Sequence, residues 1–68
     1  MKKKEFKTLE IGDMVRCGSS YGIVFSTKTY AGPGVKIRYL SGEVREIHPW
    51  YQELIKDITI VARAGTKQ

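Results

Sequence analysis

The chain has 68 residues, enough for one domain. Folding at this size hides roughly 60% of the unfolded surface, which leaves a thin core and no deep substrate cleft. A single cysteine, Cys17, and a single histidine, His48, exclude an internal disulfide and a Cys/His zinc centre. The net charge of +5 suggests nucleic acid until it is located. Lys2, Lys3, Lys4 and Lys7 stand against Glu5 alone, whereas residues 8–68 carry eight Lys/Arg and six Asp/Glu, so the body is only mildly basic.

Residues 1–8 read as a flexible basic leader. Their lysines resemble the start of a signal peptide, but no apolar run follows. Nor does any stretch approach the ~20 apolar residues of a membrane span. With its lone thiol the chain is expected in a reducing, cytoplasmic setting. Leu9 and Ile11 anchor a turn leading to a short strand, Met14-Val15-Arg16-Cys17, which places Cys17 half-buried at a strand end. Gly18-Ser19-Ser20 is a turn.

Tyr21 to Lys28 form a second strand with a conflict built in, because Ile23 and Phe25 ask for one core face and Val24 for the other. A long strand that bends would satisfy both. Gly22 marks a close backbone approach or a bulge. Residues 29–34 form a loop around Pro33. Val35 to Tyr39 then alternates, with Val35, Ile37 and Tyr39 inward and Lys36 and Arg38 outward.

Ser41-Gly42 signals a hairpin. A two-residue turn pairs Leu40 with Glu43, Tyr39 with Val44, and Arg38 with Arg45. It also buries Glu46 and exposes Ile47, so either a bulge near Arg45-Glu46 that returns Ile47 to the core or an early end to the strand is expected. His48 to Leu54 lacks alternation and opens with Pro49, which predicts one helical or 3₁₀ turn. Ile58 to Val61 is the last strand, and residues 63–68 are expected to be a flexible tail. His48 reads as a strand-end residue bonded to backbone.

Several short strands broken by Gly/Pro turns point to an all-β fold and a small barrel. The order Gly12-Asp13-x-Val15, Tyr21-Gly22-Ile23-Val24, Val35-x-Ile37-x-Tyr39-x-Ser41-Gly42 and Leu54 resembles small SH3-like barrel proteins of the Tudor-like and KOW-like kind. In overall look the chain is similar to short proteins encoded by tailed bacteriophages, marine and cyanobacterial ones included. The likeness covers about residues 9–62. It implies a five-stranded SH3-like barrel with a single helical or 3₁₀ turn before the last strand, and a location in the host cytoplasm or the virion. A Tudor-type cage for a methylated side chain is not carried over, because three aromatics cannot be set around one pocket.

Catalysis is not expected. The lone His48 suggests no nucleophile–base set, no carboxylate pair has spacing that would split its pKa values, and Gly32-Pro33-Gly34 lacks the Lys-Ser/Thr ending of a phosphate loop. No cofactor or metal is expected either. Tyr21, Tyr30, Trp50 and Tyr51 are the candidate partner-binding residues; one of Trp50 and Tyr51 is expected to cap the core and the other to anchor a protein partner or stack on a base. Lys36, Arg38 and Arg45 are the candidate anion or nucleic-acid patch, with nearby carboxylates as their structural alternative. The expected function is therefore a small non-enzymatic protein-binding or adaptor module, with nucleic-acid binding as the second reading. Self-assembly through free sheet edges is the third.

Overall fold

A computed structural model describes residues 1–30 and 32–64. The fold is all-β. The strands are β1 (Met14–Cys17), β2 (Ser20–Ser26), β3 (Val35–Tyr39), β4 (Val44–Ile47) and β5 (Ile58–Ala62). They form one antiparallel sheet in the order β4-β3-β2-β1-β5. Among the described residues β4 and β5 are not paired with each other, so the sheet is not closed. Two single helical turns complete the fold, α1 (Lys3–Phe6) and α2 (Gln52–Ile55), the second standing before the last strand as the sequence predicts.

The core is built from alternate strand positions. Val15, Val24, Val35, Ile37, Tyr39, Ile47 and Ile58 turn inward, and Phe6, Leu9 and Ile55 close over them. The conflict in β2 is resolved for Val24, which is fully buried (0% exposed), while Ile23 is 41% exposed on the outer face. The reason lies in the partner strand. Val24 pairs with Ile37, the most deeply buried position of β3, and the ladder slips between Val24 and Ser26. That irregularity leaves Phe25 on the outer side, beneath the guanidinium of Arg38 at 4.9 Å. The close approach at Gly22 is real: a Cβ there would lie 2.6 Å from Ile37 Cγ2 and 3.0 Å from the Arg38 carbonyl oxygen.

The β3–β4 register differs from the two-residue expectation. The Tyr39 amide donates to the Glu43 carbonyl at 2.8 Å and the Gly42 amide donates to the Tyr39 carbonyl at 2.8 Å, so residues 40–42 form a three-residue loop. Gly42 ends it at φ +97°, the left-handed position that such loops require. Every pair shifts by one residue: Arg38 faces Val44, Ile37 faces Arg45, Lys36 faces Glu46 and Val35 faces Ile47. Ile47 reaches the core without help, and the bulge expected near Arg45-Glu46 does not form. Irregularities fall instead between Val24 and Ser26 and between Met14 and Val15.

Residues 1–6 and 63–64 are bonded to or packed on the domain. Phe6, on α1, is buried in the core, so the basic leader is tied to the domain by one large apolar side chain. The Met1 ammonium donates to the carbonyl oxygens of Ile55 (2.8 Å), Lys56 (3.1 Å) and Ile58 (3.0 Å), joining α1 to the segment between α2 and β5. At the other end, the Ala64 amide donates to Asp13 Oδ1 at 2.7 Å, and Arg63 Nη1 donates to Asp13 Oδ2 at 2.9 Å. Asp13 also accepts the Glu10 amide at 2.9 Å. Residues 63 and 64 therefore belong to the fold; residues 65–68 lie outside the described residues.

Asp13 is a buried carboxylate that holds two stretches of chain, at Glu10 and at Arg63-Ala64. Burial pushes its carboxyl up, but the Ala64 and Glu10 amides and the Arg63 guanidinium together outweigh this and hold it below the usual carboxylate range.

Candidate functional site

The segment from the end of β4 through α2 carries the densest exposed aromatic surface. Its foundation is His48, buried just after β4. His48 Nδ1 lies 2.6 Å from the Pro33 carbonyl oxygen and Nε2 lies 2.7 Å from Glu46 Oε2. Those two contacts fix the plane of the ring. The indole of Trp50 stacks on that plane, with centroids 4.5 Å apart and 6° between the rings. Tyr51 stands edge-on to both, at 5.5 Å from His48 and 6.1 Å from Trp50.

Pro49 is buried and opens the turn, and the Tyr51 amide donates to the His48 carbonyl at 3.0 Å. Ile55 points α2 into the core, which leaves the opposite side of that turn outward. Leu54 on that side is 44% exposed, and with Trp50 (49%) and Tyr51 (41%), which lead into α2, it lines one shallow apolar surface. Neither Trp50 nor Tyr51 is swallowed by the core; the expectation that one would be is replaced by a pair of half-exposed rings. Phe6, Leu9 and Ile55 supply the apolar cover of the core near α1 and α2 instead.

The remaining candidates are dispersed. Tyr30 is almost fully exposed in the loop between β2 and β3. Tyr21 pairs with Arg16 at the other end of β2 and belongs to the outer face of the sheet rather than to the Trp50–Tyr51 corner. Lys36 and Arg38 share that outer face, but Arg45 does not join them. It faces Ile37, on the opposite side of the sheet, and its Nε bonds Glu43 Oε2 at 3.1 Å in an exposed ion pair. The three-cation patch expected from the two-residue turn is therefore not assembled. Arg16 takes the place of Arg45: it pairs with Tyr21 on the face that carries Ile23, Lys36 and Arg38. That grouping needs the β1–β2 register, which no local pattern supplied.

A second hollow, of about 270 Å³, lies between the ends of β1, β3, β4 and β5. Cys17, Tyr39 and Arg45 line it with Ser20, Ser41, Glu43 and Asp57. Cys17 is half-buried at its strand end, as expected. Burial raises the Tyr39 phenol well above its usual range, and the neighbouring Cys17 thiol raises it further.

No protein family, curated protein or solved structure matches this chain. No described helix is long and apolar enough to cross a membrane.

Proposed function

We propose that this chain is a small non-enzymatic binding module of SH3-like type, docking a partner protein through Trp50, Tyr51 and Leu54. The carrying observation is the stack of Trp50 on a histidine that is itself bonded at both ring nitrogens. An exposed aromatic normally loses rotamer freedom when a partner covers it; one already held in place loses less, and more of its burial is kept as affinity. Rigid aromatic anchors of this kind are the residues that dominate protein interfaces. The meander β1–β4, the helical turn and the return of β5 beside β1 support the SH3-like reading. The resemblance to tailed-phage proteins supports a location in the host cytoplasm or the virion.

The test compares the tagged chain with Trp50→Ala and Tyr51→Ala in pull-downs from bacterial lysate, with and without nuclease. A protein retained after nuclease treatment, and lost in both variants while their circular dichroism is unchanged, supports the reading. Capture indifferent to both substitutions refutes it.

A second reading has its own observation. The outer sheet face brings Arg16, Lys36 and Arg38 together with Tyr21 and Phe25. Cations that track phosphates beside rings that stack on bases are the parts of a single-strand binder. Affinity for a thymidine oligonucleotide would then fall steeply with salt. An affinity unchanged between 50 and 300 mM salt removes this reading.

A further inference from the structure

The aromatic corner does not end at Leu54. Its surface passes across Gln52 and Glu53 into a groove beside α1, lined by Met1, Lys2, Lys3, Ile55 and Lys56. One surface thus has an apolar half and a cationic half, and the two share the residues between them. The cationic half holds three lysines against one carboxylate. Glu53 meets Lys56 at 3.6 Å with both side chains largely exposed, a pair worth little in water. Lys2 and Lys3 have no carboxylate partner among the described residues.

These lysines are not on a loose tail. Phe6 buries the end of α1 in the core, and the Met1 ammonium is bonded to three carbonyls between the end of α2 and the start of β5. The backbone that carries these lysines is therefore held at a fixed place beside the aromatic rings before any partner arrives.

Resting on the docking role of Trp50 and Tyr51, we infer that this composite surface takes an acidic segment of a partner protein, with an apolar side chain on Trp50, Tyr51 and Leu54 and carboxylates over Lys2, Lys3 and Lys56. Charge complementarity selects the acids. The Glu53 carboxylate, at the junction of the two halves, selects against a polyanion of regular spacing: a nucleic-acid strand or an anionic lipid surface would bring phosphate against it. A peptide can put a neutral residue there and its carboxylates elsewhere.

The experiment is selection of a displayed random dodecapeptide library on the full chain, followed by synthesis of the consensus. The expected consensus carries several Asp or Glu around one or two of Leu, Ile, Phe or Trp. Its dissociation constant should rise at least tenfold in the triple variant Lys2→Glu, Lys3→Glu, Lys56→Glu, and at least tenfold in Trp50→Ala. Raising salt from 50 to 500 mM should weaken it in the wild type and not in the triple variant. Circular dichroism and urea midpoints of the variants confirm an intact fold. Apolar peptides without acids, lost in Trp50→Ala and indifferent to the triple variant, would overturn this inference and leave the docking role standing. Selection of no peptide that depends on Trp50 or Tyr51 would overturn both. Tighter binding of a twelve-residue thymidine oligonucleotide, or of phosphatidylglycerol vesicles, at the same residues would overturn the acidic-peptide assignment.

Discussion

Replacing Asp13 tests the account of how this domain holds its ends. The carboxylate accepts the Glu10 amide at 2.9 Å, the Ala64 amide at 2.7 Å and Arg63 Nη1 at 2.9 Å. A hydrogen bond to a charged group contributes about 1.5–3 kcal/mol. The Arg63 side chain is 40% exposed, so its share is screened down to about 1 kcal/mol or less. The two amides dominate, and water at the domain surface recovers part of their loss in the variant. Asp13→Ala should therefore cost about 3 kcal/mol, a third or more of the ~3–10 kcal/mol expected for 68 residues at typical stability per residue. Asp13→Asn keeps one acceptor but turns an amide NH₂ toward the Glu10 and Arg63 donors, and should cost about 2 kcal/mol.

Urea unfolding at pH 7, followed by circular dichroism, reads both losses as shifts of about 1–3 M in midpoint, given m of about 1–3 kcal/mol/M. The pH dependence supplies the sign. The folded-state pKa of Asp13 is depressed. Its contribution is therefore complete above the unfolded value of ~3.9 and is lost as pH falls through the folded one. The gap between wild type and Asp13→Asn should stay constant from pH 7 to about 5 and shrink below ~4. A cost under about 1 kcal/mol for Asp13→Ala, or a gap unchanged at pH 2.5, would refute the reasoning.

Phe6→Ala should destabilise the domain by about 3 kcal/mol in the same assay, whereas a flexible leader would give no change. Gly22→Ala should cost about 2–3 kcal/mol because its methyl overlaps Ile37 and the Arg38 carbonyl; a neutral result would mean that β2 and β3 sit further apart. In His48→Phe the stacking ring survives but both polar contacts go, and the Pro33 carbonyl loses its partner. Stability should fall by about 1–3 kcal/mol and the order parameters of the Trp50 indole should drop, while an unchanged indole would remove His48 as its support. Burial and the Cys17 thiol keep the Tyr39 phenol protonated past its usual range. One tyrosine should therefore stay un-ionised in an alkaline absorbance titration until the fold is lost, and stability should decline as pH rises above ~10.

The β-strands were legible because their information is local. Val35 to Tyr39 alternates strictly, and the structure buries Val35, Ile37 and Tyr39 as that period requires. The close approach at Gly22 and the turn at Ser41-Gly42 were legible for the same reason, since glycine reports backbone that no other residue tolerates. The local signal stopped at the length of that turn. One residue more in the loop moved Arg45 to the opposite side of the sheet from Arg38 and brought Ile47 inward.

The lack of alternation after Pro49 put Trp50 and Tyr51 on a helical turn ahead of the last strand, whereas α2 begins just after them at Gln52. That signal could not set the plane of the indole. That plane is decided by His48, whose ring is fixed by the Pro33 carbonyl, fifteen residues away in the chain, and by Glu46. Phe6 looked like part of a lysine-rich leader, and only the assembled core offered it a place. Asp13 looked like a turn residue, and its wider role depends on the Ala64 amide and the Arg63 guanidinium, which lie near it only in space. Local pattern alone is enough for a set of short amphipathic strands, because a period of two needs only neighbours along the chain. Which cations share a face, which rings are held rigid and which end is tied down were decided by tertiary structure. Each depends on groups far apart in sequence, joined by register and burial that no local pattern encodes.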